Sequence, residues 1–173
     1  MKESFPKKET REQEHALKEG PYEEDGGSVA FVMYKREERI TATQQGAISK
    51  RTKTEVISTG THVPCHDILL KIDTGEYQAL HIDGATLRPT LEQKSGLEKA
   101  IADGAEAIII KGRKSTLTQK DIDDLEKQGL KIKKMVEIDT KDWWKLLYDP
   151  VTDEIWIDKI REKEIERHKG FEE

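Results

Sequence analysis

Residues 96–135 read GLEKAIADGAEAIIIKGRKSTLTQKDIDDLEKQGLKIKKM, and this stretch sets the fold class. At its centre AEAIIIK, residues 105–111, is a largely apolar run bounded by Gly104 and Gly112. A short run without alternation is expected of a strand covered on both faces. Upstream, Leu91, Leu97, Ala100 and Ile101 fall at helix-compatible spacing over 91–103. Downstream, Thr118 offers a hydroxyl to the free amides of a helix start, Asp121 complements the dipole three residues on, and Gly129 ends the segment. Residues 130–138, LKIKKMVEI, alternate apolar with charged and predict a strand with one wet face, near an edge of its sheet. Helix, strand, helix, strand covers one face of a sheet, so the other strands must come from hairpins.

Two hairpins are legible. Residues 54–59, 67–72 and 77–82 are rich in strand formers, and Asp73-Thr74-Gly75-Glu76 supplies turn chemistry between the last two. Residues 145–148 and 154–157 flank Asp149-Pro150-Val151-Thr152-Asp153, a second turn. SVAFVMY, 28–34, reads as a further strand after Gly26-Gly27, whereas 39–47 has no decisive pattern. The expected fold is α+β: a mixed α/β sandwich with a largely antiparallel sheet and two main helices on one side. Residues 1–27 mix both charge signs with little apolar periodicity and read as a mobile charged arm. Residues 28–158 are expected to form the one domain, and 159–173, where Ile160 and Ile165 continue a spacing begun at Ile157 among alternating charges, read as a charged helix or tail.

Composition limits the function. A chain of 173 residues fits one domain, and 38% charged against 34% hydrophobic residues places part of it outside any core. With 30 basic and 35 acidic side chains the net charge is -5, so no global field favours polyanions and nucleic acid is an unlikely partner. The single cysteine forms no internal disulfide. Neither a long apolar span nor a cleaved leader is visible, which predicts no membrane partner and a cytoplasmic protein, or one exported without a cleaved leader to act in a target cytoplasm.

The chemistry concentrates in residues 60–84, GTHVPCHDILLKIDTGEYQALHIDG, which hold that cysteine and three of the five histidines. Cys65 follows turn chemistry and is expected at an accessible strand entrance. His81 lies on the returning strand, and neighbouring antiparallel strands are about 4.8 Å apart, so a Cys65–His81 dyad fits the spacing. A thiol with an ordinary pKa of about 8.5 needs such a base to attack at neutral pH. The backbone amides around residues 63–65 would face an oxyanion, with Pro64 removing one donor.

The plainer reading makes Cys65 a small buried hydrophobe beside Ile68, Leu69 and Leu70. His62 and His66 read as surface histidines, either of which could replace His81 as base. With Cys65 they could also bind zinc, but no further donors complete a tetrahedral set, so no metal is expected. His15 and His168 sit in charged ends without a role. Trp143 and Trp144 read as rim and core, Trp156 as a strand residue with one face packed, and Lys111, Arg113 and Lys114 as a mild anion site in a loop.

A turn of small residues, a cysteine opening a strand, a hairpin, a histidine on the returning strand, then helix, GA-x-x-I-I-I-x-G, helix and G-L-x-I together resemble the cysteine deamidase superfamily, which includes the chemoreceptor glutamine deamidase and the catalytic domain of cytotoxic necrotizing factor. The likeness covers about residues 54–157. It implies a mixed α/β sandwich that hydrolyses a glutamine side chain on a target protein through a thioester, without cofactor or metal. Cys65 would match the nucleophile, His81 the histidine and Thr59 a supporting threonine. Thr61, His62 and Asp83, on and beside the loops over the site, would contact substrate. HVPC stands where the family commonly reads LGSC or SGC. The charged leading arm suits a toxin-like effector as well as a chemotaxis enzyme, and transglutamination shares the thioester. Two other classes remain: a non-enzymatic protein-binding module of the immunity or adaptor kind with Cys65 inert, and a small RNA-contacting domain using residues 111–114.

Overall fold

The computed structural model of the chain describes residues 40–43, 45–60, 62, 64–84, 89–140 and 143–172; the arm expected over 1–27 and the strand over 28–34 lie outside them. Among the described residues the elements are β1 (Ile40–Thr43), β2 (Val56–Thr59), β3 (His66–Lys71), β4 (Tyr77–Ile82), α1 (Leu91–Ala102), β5 (Glu106–Gly112), α2 (Gln119–Lys127), β6 (Lys131–Ile138), β7 (Trp144–Asp149), β8 (Glu154–Lys159) and β9 (Glu164–Lys169). The fold is α+β, as the sequence predicts. Its strands divide into two sheets rather than one, in the orders β1-β2-β7-β8-β9 and β4-β3-β5-β6.

The division follows from side-chain parity. In β5, Ala107 and Ile109 pack with Leu97, Ala100, Ile122 and Leu125 from the helices, while Ile108 and Ile110 pack with Ile57, Leu146, Tyr148 and Ile157 of the other sheet. The unbroken AIII run is therefore hydrocarbon on both faces, and the layers stack as helices, four-stranded sheet, five-stranded sheet. The β3–β4 hairpin pairs His66 with Ile82 and Lys71 with Tyr77, and β5 pairs antiparallel on the other side of β3. Among the described residues only β1–β2 and β5–β6 run parallel, the latter joined by α2 as a parallel neighbour requires. β6 lies at the edge, with Lys131, Lys133 and Glu137 exposed.

Both helices begin on capping boxes, Thr90 with Gln93 and Thr118 with Asp121. They stop before Gly104 and Gly129, which have positive φ of 84° and 105°.

The charged end is a correction. The described part of the segment expected as a helix or tail over 159–173, residues 159–172, forms neither: Ile160 to Lys163 turn the chain, and β9 pairs with β8 along its whole length, from Glu154↔Lys169 to Lys159↔Glu164. Alternating charges fit a solvated helix, but here they make cross-strand contacts, Lys159 to Glu166 at 2.9 Å and Arg167 to Glu154, with Arg167 lying over the Trp156 ring. Phe171 then enters the inter-sheet core against Tyr77 and Tyr148, and Asp153 accepts the backbone N–H groups of Phe171 and Glu172. Tertiary pairing at an open strand edge outweighs local charge pattern. Phe171→Ala is therefore expected to cost about 3–5 kcal/mol in urea unfolding. Leu91→Ala, at an exposed helix start, should stay within about 0.5 kcal/mol of the parent.

Candidate functional site

The inter-sheet core changes character in its last layer. Leu69 and Ala79 face the other sheet as hydrocarbon; one register step further, Asp67 lies opposite His81 on the same face. Thr59, on the inward face of β2 beyond Ile57, donates its hydroxyl to Asp67 Oδ2 at 2.8 Å. His62 is drawn in by a backbone bridge, its N–H donating to the Trp144 carbonyl at 2.8 Å and the Trp144 N–H to the His62 carbonyl at 3.2 Å. Its Nε2 then meets Asp67 Oδ1 at 2.7 Å and its Nδ1 the Trp144 carbonyl at 3.2 Å. Thr59, His62, Asp67, His81 and Trp144 are all buried.

A carbonyl only accepts, so Nδ1 carries a proton, and Nε2 shares one with the carboxylate. His62 consequently has no lone pair left for a substrate. Its ring stacks between His81 and Trp144, each centroid 4.0 Å away and the planes 25° and 13° apart. Gly112 lets β5 approach this stack, since a Cβ there would stand 2.5 Å from Trp144 Nε1. Neither ring nitrogen of His81 has a hydrogen-bond partner. Burial pushes His81 down to about 4, the His62 and His66 rings add to this, and the Asp67 and Asp83 charges oppose it. The ring is neutral at pH 7.

Several expectations change here. Cys65 is not accessible but buried, because Pro64 closes against Gly84, where a Cβ would meet the Pro64 carbonyl oxygen at 2.1 Å. Burial raises the thiol pKa; a Gly84 N–H to sulfur lowers it, and the Asp83 and Asp67 charges raise it again. Extending the β3–β4 register sets Cys65 across from Asp83 and diagonal to His81, at the same end of the sheet, without a hydrogen bond between thiol and imidazole. His62 and His66 are buried rather than surface histidines: His62 is held by Asp67 and the Trp144 backbone, and His66 is the first residue of β3, on the face towards the helices. Burial also takes His62 away from the substrate-contacting role expected of it. Thr59 supports Asp67 and not the thiol, and Thr61 lies outside the described residues.

The stretch of sequence signals its central group only weakly. Asp67 is the second residue of HDILLK, and parity with Leu69 turns it inward, so a buried carboxylate in need of partners was legible there. Trp144 divides from Trp143 as core from rim, the latter 47% exposed beneath Arg161. Lys111 and Arg113 pair with Glu137 and Asp139, which neutralises much of the expected anion site. His168 contacts Glu166 within β9.

His62, Asp67 and His81 place potential ligand atoms within 4.8 Å of one another. Nearly parallel rings direct their lone pairs side by side, not at one point, and His62 has committed both nitrogens. An ion would have to turn the rings and displace the 2.7 Å contact, so the arrangement is a hydrogen-bonded stack rather than a metal cradle.

His66 points the other way, with Ile68, towards the helices. It lines a cleft of about 190 Å³ with Ile82, Leu117, Asp121, Asp124 and Leu125. Burial also lowers this imidazole to about 4.

Compared with known proteins, the chain matches no family model and no curated protein. The deamidase resemblance therefore rests on the residues quoted for it.

Three outcomes test this end of the sheet. His66 and His81 have folded values near 4, below their ordinary 6.5, so above pH 6.5 they add no pH dependence. As pH falls from about 6.5 to about 4 the unfolded chain binds protons that the folded chain refuses, and stability is expected to fall by about 3 kcal/mol per ring, read as the urea midpoint against pH. Asp67→Ala should cost about 3–5 kcal/mol, because it leaves His62 buried without its partner; Thr59→Val should cost about 1–2 kcal/mol in the same assay.

Proposed function

We propose that this protein is a non-enzymatic protein-binding module in which Cys65 is a buried structural thiol. One observation carries the reading: the buried sulfur takes a backbone amide, feels the negative charges of Asp83 and Asp67, and has no imidazole hydrogen-bonded to it. Activation of a thiol needs a base or a positive field, and burial beside Asp83 and Asp67 opposes the thiolate on both counts. The neighbouring rings do other work, since His62 holds Asp67 to the Trp144 backbone while His81 stacks on His62.

A second reading is favoured by the strand register, which keeps Cys65 and His81 diagonal at one end of the sheet. In it Cys65 attacks a glutamine carboxamide carbon, His81 passes the thiol proton to the departing ammonia, and water hydrolyses the thioester. The Cys65 side chain would have to leave the Gly84 amide, and His81 its stack, before this could begin.

Iodoacetamide separates the two. In the native protein at pH 6, Cys65 is expected to react more slowly than a free thiol and to react fully only after unfolding in urea. Alkylation faster than a free thiol at pH 6, slowed by His81→Ala, would overturn the binding-module reading in favour of the hydrolase.

A further inference from the structure

The cleft on the helix side of β3 is lined by a residue that the buried stack does not use. His66 is 3% exposed, and its Nδ1 is buried without a hydrogen-bond partner. Its Nε2 is neither enclosed nor bonded, so it is the nitrogen that opens to the cleft. At pH 7 the ring is neutral and holds one proton. A buried orphan lone pair is tolerated better than a buried orphan N–H, which puts the proton on Nε2 as a donor.

Two half-buried carboxylates face the same space, Asp121 and Asp124, one turn apart on α2. Asp121 Oδ2 accepts from the Thr118 backbone and hydroxyl, and Asp124 Oδ2 contacts Lys120 at 3.1 Å. The second contact is an exposed pair one helical turn apart, which a better-placed cation displaces at little cost. Ile82, Pro89, Leu117 and Leu125 supply apolar walls. The cleft thus presents negatively charged acceptors, the buried His66 N–H, the Gln128 side-chain amide at its exposed margin and a hydrocarbon surface.

We infer that this cleft binds a primary ammonium group carried next to a carbonyl, the chemistry of a free polypeptide amino terminus. The ammonium meets Asp121 and Asp124, the adjacent carbonyl accepts from His66 Nε2–H, and the first side chain rests on Leu117 and Leu125. A bare cation leaves the His66 donor facing positive charge, and an anion meets two carboxylates; the paired group satisfies both sides. The inference rests on the binding-module reading and gives that module a partner of defined chemistry, a protein with an unblocked amino terminus.

The test titrates the full chain at pH 7 with L-leucinamide while following the imidazole resonances by NMR. A saturable shift at His66 is expected, and N-acetyl-leucinamide, which lacks the ammonium, should leave it unmoved. Asp124→Asn should weaken L-leucinamide about tenfold, as loss of one charged hydrogen-bond partner does, while Asp123→Asn on the exposed side of α2 should not. Leu-Gly-Gly-amide should bind at least as tightly as L-leucinamide. Weaker binding of the peptide would overturn the polypeptide partner. An absent shift at His66, or equal binding of the acetylated compound, would overturn the site itself in the parent protein, whatever the variants do. Iodoacetamide reactivity of Cys65 is read separately, so failure of this cleft and failure of the binding-module reading remain distinct.

Discussion

One carboxylate organises the end of this molecule where the chemistry lies. Asp67 is buried between two sheets, and a charge in that position is tolerated only if its oxygens are satisfied. Thr59 answers one oxygen from β2 and His62 the other from the preceding loop, so the two sheets are tied by hydrogen bonds at a level where hydrocarbon has run out. Fixing His62 fixes the ring stack, because Nδ1 then reaches the Trp144 carbonyl and the imidazole has one plane left to occupy. The start of β7, the end of β2 and the entrance to β3 are all positioned from this point.

The other end of the sandwich is arranged differently. There Tyr77, Tyr148 and Phe171 close the core with aromatic area, and Asp153 holds the chain end by accepting from Tyr148 and two backbone amides. Every polar group just named has its partner. At the Asp67 end, His66 Nδ1, both nitrogens of His81 and Trp144 Nε1 have none. Unsatisfied buried groups weaken a fold; four such atoms stand together at the Asp67 end, while Thr152 Oγ1 and Gln78 Oε1 are buried without a partner elsewhere among the described residues.

What could be read from the sequence was what local pattern controls. The AIII run gave a strand hydrocarbon on both faces, the Asp73-Thr74-Gly75-Glu76 turn gave the β3–β4 register, and Thr118 with Gly129 bounded α2. β9 was hidden because IREKEIERHK carries charges at intervals compatible with helix or strand; the open edge of β8 and the burial of Phe171 decide between them, and both are long-range facts. The site was half legible for the same reason. Hairpin register puts Cys65 and His81 at one end, but which neighbour each meets depends on the loop that carries His62 to Trp144, and nothing local encodes that contact.

The histidines illustrate why residue type is a poor guide to role here. His62, His66 and His81 lie within one short stretch of sequence, yet strand parity sends His66 to the helix layer and His81 to the inter-sheet layer, while His62 leaves the strand altogether. Once separated, each experiences a different balance. His62 has both nitrogens bonded and acts as a bridge; His81 is desolvated and stacked against it; His66 is desolvated but retains one open nitrogen on a cleft with carboxylates. Low dielectric keeps the last two neutral, and a neutral imidazole is a directional donor, not a charge. Recognition by such a group depends on an acceptor placed in line with one N–H, so the ligand proposed for the cleft needs its carbonyl as well as its ammonium.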